Sequence, residues 1–310
     1  MIEPIRAHCH VGIVHCMLFP DTASGEGPIL ETVERILSDD YFAAIELTWI
    51  KDAAVRGKAA QMLATAHVDV VFAGQPPLLS QKLSLNSLED AERKKAVEQC
   101  KQSVDQAYQL GARMLAVLAG PDPGEAQRKR ATELLIDSLK QICAYAQEQG
   151  KDYPLAVSLE TFDREYDKRS LIGPTKEASA VVAAVKEEYS NIGLLIDLSH
   201  QPLIGEPVHG MVIDSIDHLI HVHIGNCVMK DKSHPSYGDQ HPPFGILGGE
   251  IGVEQVQKFL EALIYAGYFK KNTPTTMPVV SFEVKPRPGE SPGVVLANAK
   301  RTLNEAWAKV

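Results

Sequence analysis

Six residues in the second half of the chain have types and spacing that could hold a cation and move a proton. Glu160 closes the apolar run PLAVSLE (154–160), and Asp197 sits near the end of IGLLIDLS (192–199), with His200 three residues on. His221 and His223 stand two apart in HLIHVHIG (218–225), and Glu283 lies near the end of PVVSFEV (278–284). Residues two apart on a strand share a face. Glu160, Asp197, His223 and Glu283 together make a mostly oxygen donor set. That set suits Mn²⁺, Mg²⁺ or Co²⁺ better than a thiolate-seeking ion. Several carboxylates crowded at partly desolvated strand ends would repel one another and protonate unless a cation joined them. Singly, each has a structural reading. Glu160 or Glu283 could pair with Lys285, Asp197 could cap the next segment, and His221 could simply pack. The conjunction points to a shared site.

Positioning such a set requires strands that end together. Eight short apolar runs alternate with longer amphipathic stretches: 11–19, 43–49, 68–74, 112–120, 154–160, 192–199, 218–225 and 278–284. Runs rich in Val, Ile and Leu on both faces read as parallel strands covered on both sides. Between them, GPILETVERILSD carries a helical stripe of Ile29, Val33, Ile36 and Leu37, and SLEDAERKKAVEQCKQSVDQAYQLG is a long helix stopped at Gly111. ATELLIDSLKQICAYAQEQG, GVEQVQKFLEALIYAGY and ANAKRTLNEAWAKV are further helices. This order predicts one (β/α)₈ barrel domain over residues 1–310. A doubly wound sheet would usually carry a glycine-rich phosphate turn after its first strand, and FPDTASGEGP is not one. Catalytic groups of such barrels gather at the C-terminal strand ends, where the six residues fall. Other polar residues close or interrupt earlier runs: His15 in the first, Glu46 in the second, and Lys51 and Gln75 just beyond the second and third. His15 is expected either to aim at the mouth as a catalytic group or to be a hydrogen-bonded core histidine. Glu46 is expected to face inward with a partner.

Composition narrows the setting. Of 310 residues, 45% are hydrophobic and 23% charged, which suits a globular chain with a large core. A net charge of −9, with no Lys/Arg cluster, disfavours a nucleic-acid partner. Cys9, Cys16, Cys100, Cys143 and Cys227 are odd in number and form no CxxC pair, so reduced thiols are expected. The N-terminal residues lack a basic-then-apolar signal pattern, and no apolar stretch reaches membrane-spanning length. The expectation is a cytoplasmic protein.

The ordered series SLET, IDLSH, HVH and SFE resembles the xylose-isomerase-like sugar isomerase/epimerase superfamily over essentially the whole chain. The resemblance implies one divalent metal, usually Mn²⁺, on Glu160, Asp197, His223 and Glu283. It implies a substrate-binding role for His200, and proton exchange by Glu160 and Glu283 in the ketose 3-epimerase members. Those epimerases have an arginine after the strand-seven histidine; here the stretch reads GNCVMK, with Lys230 the nearest cation. The short glycine-rich link that follows is replaced by the long 226–250 segment, NCVMKDKSHPSYGDQHPPFGILGGE. GIVHCMLFP, GEGP, AIELTWIKD, GDQHPPFG and SFEVKPRPGE are similar to the catalytic α subunits of bacterial C-glycoside deglycosidases. That similarity implies cleavage of the carbon–carbon bond between a 3-oxo-sugar and an aromatic aglycone, with a small β subunit as partner.

Either reaction begins by removing a proton next to a carbonyl. The proton then returns on the opposite face, or the enolate expels an aglycone by β-elimination. A non-catalytic sugar-binding barrel would not need ligand residues at four strand ends. A phosphate-ester hydrolase or abasic-site nuclease of this barrel type would carry more metal-binding histidines, and a nuclease a basic groove. Loops after barrel strands build the pocket. Lys230, Tyr237, His241 and Phe244 are therefore expected substrate contacts, with His234 and Asp239 in the same segment. His200 joins them by the resemblance, and His221, which shares a face with His223, is expected near the site as a contact or as a group that orients a ligand. The other reading of 226–250 is an excursion packed on the outer helices, or a contact with the partner subunit.

Overall fold

The computed structural model describes residues 3–150 and 152–310. The chain begins with β1 (His10–Ile13), α1 (His15–Leu18), α2 (Ile29–Leu37), β2 (Ala44–Leu47), α3 (Ala53–Ala66) and β3 (Asp69–Ala73). It continues with α4 (Gln75–Ser80), α5 (Asp90–Gln109), β4 (Met114–Leu118), α6 (Glu125–Gln149), β5 (Ala156–Glu160) and α7 (Thr175–Lys186). It closes with β6 (Ile192–Asp197), α8 (His200–Ile204), α9 (Val208–Ser215), β7 (Leu219–Gly225), α10 (Val253–Tyr265), β8 (Val279–Glu283) and α11 (Pro292–Trp307). All strands pair in parallel, each with its sequence neighbour; β8 returns to β1, and a parallel bridge between Val14 and Glu46 joins β1 to β2. The architecture is the (β/α)₈ barrel. No helix of the described residues is long and apolar enough to cross a membrane.

Strand alternation decides which side chains enter the barrel. Ile45, Leu47, Leu159, Leu194, Ile196, Val222, Ile224 and Phe282 belong to the large core between strands and helices. With period 2, their neighbours Glu46, Glu160, Asp197, His221, His223 and Glu283 point inward. Lower in the barrel, Val71, Met114 and Ala156 form a separate small apolar cluster with Ile220 packed on it. It gives the polar residues above a dry floor. Register then levels them: Asp197 pairs with His223, and Gly225 with Glu283.

The first strand is a correction. VGIVHCMLF reads as one run, but β1 stops at Ile13 and His15–Leu18 is a helical turn. A continuous apolar stretch has no period that separates a buried strand from a buried helix turn. Two helices also begin earlier than their apolar stripes suggest, α6 at Glu125 and α11 at Pro292. Polar first turns carry no stripe, and Pro at the start of α11 is favoured there.

Candidate metal centre and cavity

Glu160, Asp197, His223 and Glu283 come together at the C-terminal mouth. Each presents one donor atom, and all four atoms lie within 4.8 Å of one another. Oxygen and nitrogen ligands sit about 2.0–2.4 Å from such cations, so opposite ligands are about twice that apart. The spacing fits a common centre. The hydrogen bonds fit it too. Glu160 accepts from Gln75 Nε2 on Oε2 (2.7 Å), and Asp197 accepts from the Ser199 backbone N–H on Oδ1 (2.6 Å). The other oxygens, Glu160 Oε1 and Asp197 Oδ2, are buried with no hydrogen-bond partner among the described residues. Buried carboxylate oxygens without donors are expensive, and a cation would resolve both.

Electrostatics point the same way. Burial, with the Glu283 charge adding to it, raises Asp197 to about 6 against the pull of His200 and His241. Glu283 goes the other way: burial raises it, but His241 and His223 outweigh burial and hold it at about 2. Burial thus outweighs the histidine charges at Asp197, the carboxylate that a cation would stabilise most.

His223 is held from both sides. Its Nδ1 faces Glu283 Oε2 at 2.7 Å and Glu160 Oε1 at 3.7 Å, while its Nε2 lies 3.0 Å from Glu46 Oε1. His221 Nε2 reaches the same Glu46 oxygen at 2.8 Å. Burial would raise Glu46, but His221 and His223 outweigh it and hold that carboxylate well below its usual range. Nδ1 is therefore the atom free to face a cation, and Glu46 holds the ring from behind, as carboxylates do for metal-bound histidines. Glu46→Gln is expected to weaken Mn²⁺ binding by about 10- to 100-fold with the fold retained. An unchanged dissociation constant by calorimetry would contradict this role. His221 orients Glu46 and does not line the cavity.

A second group adjoins the first: Asp197, His200 and His241 also place donor atoms within 4.8 Å of one another. His200 Nδ1 donates to the Thr161 carbonyl at 2.8 Å, Phe162 packs on its ring, and its Nε2 lies 3.1 Å from Asp239 Oδ1. His241 Nε2 approaches the same oxygen at 2.9 Å, and Lys168 Nζ takes Asp239 Oδ2 at 2.8 Å. Burial lowers both histidines, but Asp239 and Asp197 outweigh it and raise His200 to about 10; Asp239 and Glu283 likewise raise His241 to about 9. Both folded values lie above the ordinary 6.5. Their stabilisation is therefore complete below about pH 6.5 and lost as pH climbs through the raised values. The thermal midpoint of chelator-treated protein should fall between roughly pH 7 and 10; a flat profile would contradict these ion pairs.

The 226–250 segment delivers Asp239 and His241. His241 has φ +49°, a left-handed conformation that costs a non-glycine residue energy and recurs at functional sites. Gly225 makes room for it, since a Cβ there would lie 2.8 Å from His241 Nδ1 and 2.7 Å from the Glu283 carbonyl oxygen. Lys168 arrives on the loop after β5. Asp163 knots that loop by accepting from the backbone N–H groups of Tyr166, Asp167 and Lys168 at 2.6, 2.7 and 2.9 Å.

A cavity of about 240 Å³ opens onto Glu160, His223 and Glu283. Asp239, Gln240, His241, Lys168 and Lys285 continue its polar wall, and Val14, Met17, Pro76, Leu79 and Phe162 form an apolar flank. His200 sits behind Phe162. Of the six expected contacts only His241 lines the cavity: His200 and His221 lie behind its wall, and the other three lie elsewhere. Lys230 is exposed and pairs with Glu250 at 2.6 Å, because the chain leaving β7 turns it to the surface. Phe244 is buried in the outer core beside Phe282, where its ring removes more apolar surface from water than the mouth would allow. Tyr237 is half-buried in the segment and does not line the cavity. His15 is the hydrogen-bonded core histidine: its Nε2 meets Thr32 Oγ1 at 2.8 Å, its Nδ1 meets Thr22 Oγ1 at 3.5 Å, and burial lowers it to about 4. The helical turn after β1 aims it at α2. Lys168 and Phe162 escape the strand-end reading. The charged run TFDREYDKRS directly after Glu160 was the available signal, as a loop following a ligand-bearing strand.

The sequence model of the xylose isomerase-like TIM barrel family matches residues 32–283, and the chain belongs to this family of enzymes. A search of the curated proteins finds no match to the sequence. Among solved structures, a D-tagatose 3-epimerase-like protein superposes with TM-score 0.70 at 19% identity, over 97% of this chain and 99% of its own. The IolI protein with a bound zinc atom gives 0.72 at 14%, over 97% and 98%. The 3-keto-D-glucoside 4-epimerase YcjR from E. coli gives 0.63 at 15%, over 95% and 98%. At these identities the likeness is one of fold.

Proposed function

We propose that this barrel is a divalent-metal-dependent sugar isomerase or epimerase that removes a proton from a carbon next to a carbonyl and returns it. The observation carrying this reading is the convergence of Glu160, Asp197, His223 and Glu283, with Glu160 Oε1 and Asp197 Oδ2 left without a hydrogen-bond partner among the described residues. A divalent ion held there, Mn²⁺ before Mg²⁺ or Co²⁺, would supply charge stabilisation to the substrate's carbonyl oxygen as the neighbouring C–H bond breaks. Glu160 and Glu283 flank the cavity from β5 and β8, so one can take the proton and the other deliver it to the opposite face. His200, held by the Thr161 carbonyl behind Phe162, faces Asp239 and so positions the Asp239 and His241 wall of the cavity. The 3-epimerase-like protein and the 3-keto-D-glucoside 4-epimerase are named for chemistry of this kind, and a zinc atom occupies IolI. These likenesses support the reading.

The apolar flank favours a second outcome from the same first step. A free ketose has no use for Met17, Leu79 and Phe162, whereas an aromatic aglycone would bury against them. In this outcome a 3-oxo-C-glycoside loses its C2 proton, the C1–aglycone bond breaks as a C1–C2 double bond forms, and the departing aglycone carbon takes up a proton, with a small partner subunit covering the mouth. The test is incubation of Mn²⁺-loaded protein in D₂O with free ketohexoses and with a 3-oxo-C-glucoside, alone and with a candidate small subunit. Deuterium at a carbon adjacent to the carbonyl is expected. Released aglycone selects the lyase outcome, and an epimerised, deuterated ketose selects the epimerase. Absence of both deuterium exchange and aglycone release with every substrate would overturn the proposal.

A further inference from the structure

Two lysines line the cavity, and they are partnered differently. Lys168 is neutralised by Asp239 at 2.8 Å and Asp167 at 3.1 Å. Lys285 is half-buried, lines the same cavity, and has no carboxylate within ion-pair distance among the described residues. Its placement is fixed. Val284 is fully buried in the outer core, so alternation sends Glu283 and Lys285 to the same side, toward the mouth. The Lys285 backbone N–H donates to the His241 carbonyl oxygen at 2.7 Å, and Pro286 and Pro288 stiffen the chain beyond it. A partly desolvated ammonium without a counter-ion is costly unless a ligand provides one. The deeper carboxylates face the metal position, His223, His241 and Lys168, and among the described residues none of them reaches Lys285.

We infer that Lys285 forms an anion-binding end of the substrate site. The ligand then carries an acidic oxygen, a phenolate or a carboxylate, on an apolar body that lies against Met17, Pro76, Leu79 and Phe162. This inference rests on the reading that the substrate occupies this cavity, but not on which product forms. It gives the site three regions: a metal and proton-transfer floor, an apolar wall, and a cation for the distal oxygen. It also makes Lys285 the residue that separates acidic aryl substrates from neutral ketoses.

The test uses Mn²⁺-loaded full-length protein and three probes: 4-nitrophenol above its ionisation, 4-nitrobenzoate, and the neutral isostere 4-nitroanisole. Binding is followed by calorimetry, and for 4-nitrophenol also by the pH dependence of its absorbance. Wild-type protein should bind an anion about 10- to 100-fold tighter than the neutral probe, the worth of a charge-assisted hydrogen bond. It should also shift bound 4-nitrophenol toward its ionised form. Lys285→Met, which keeps the apolar stem, should erase that preference, and Lys285→Arg should restore most of it. The thermal midpoints of both should match wild type, because Lys285 holds no ion pair. Preference for 4-nitrophenolate over 4-nitrobenzoate assigns a phenolate, and the reverse a carboxylate. Three results would overturn the inference: no saturable anion binding by wild type, unchanged anion binding in Lys285→Met, or equal weakening of all three probes. A protein that binds anions through Lys285 but exchanges no carbon-bound proton keeps this inference and loses the catalytic reading.

Discussion

Glu160→Gln should lower turnover by roughly 10²- to 10³-fold, the usual loss when one electrostatic contact to the reacting charge is removed. The substitution keeps the shape of the side chain, so packing in a fully buried position is preserved. What it removes is a charge whose Oε1 has no hydrogen-bond donor among the described residues and lies 3.7 Å from His223 Nδ1. An amide is a poor ligand for a hard cation, so metal content should fall with activity. It also removes one of the two carboxylates placed to carry the proton, so excess Mn²⁺ should restore metal content without restoring the rate. The check is kcat together with metal content after dialysis. Full rescue of kcat by added metal would leave Glu160 as a ligand only and assign the base elsewhere. Unchanged kcat without added metal would remove it from the site.

Asp239→Asn should cost the metal-free protein about 3–5 kcal/mol of folding stability, the range for breaking a buried ion pair from one side. Asp239 is surrounded by His200 at 3.1 Å, His241 at 2.9 Å and Lys168 at 2.8 Å, all largely buried. Burial would raise Asp239, but these three cations outweigh burial and hold it well below its ordinary value. Without the carboxylate they repel one another, and the His241 segment and the Lys168 loop lose their common anchor. Denaturant unfolding of chelator-treated protein reads the effect directly. A loss below about 1 kcal/mol would place Asp239 with weak surface pairs. Lys168→Met should cost less, because Asp239 keeps its two histidines.

The four clustered residues were legible because they are strand residues. Glu160, Asp197, His223 and Glu283 interrupt otherwise apolar runs near their ends, and alternation alone tells which way they point. His221 was legible in position but not in role, since its partner Glu46 is 175 residues away and only barrel closure brings the two together. The remaining wall depends on backbone that carries no periodic signal. Lys168 reaches the site because Asp163 folds its loop back. His241 reaches it because its backbone takes a left-handed turn beside a glycine. Tyr237 and Phe244 have the composition expected of a pocket wall, but burial against Phe282 claimed the second, and neither lines the cavity. His15 shows the opposite failure: an apolar run read as one strand contained a strand and a helix turn.

The central claim is that Glu160, Asp197, His223 and Glu283 hold one divalent ion. Titration of chelator-treated protein with Mn²⁺, following free ion by electron paramagnetic resonance, tests it most directly. One tightly bound equivalent per chain is expected in wild type, lost or weakened at least about 100-fold in Asp197→Asn and in Glu160→Gln. Binding that is absent in wild type, or unchanged in both variants, would contradict the account.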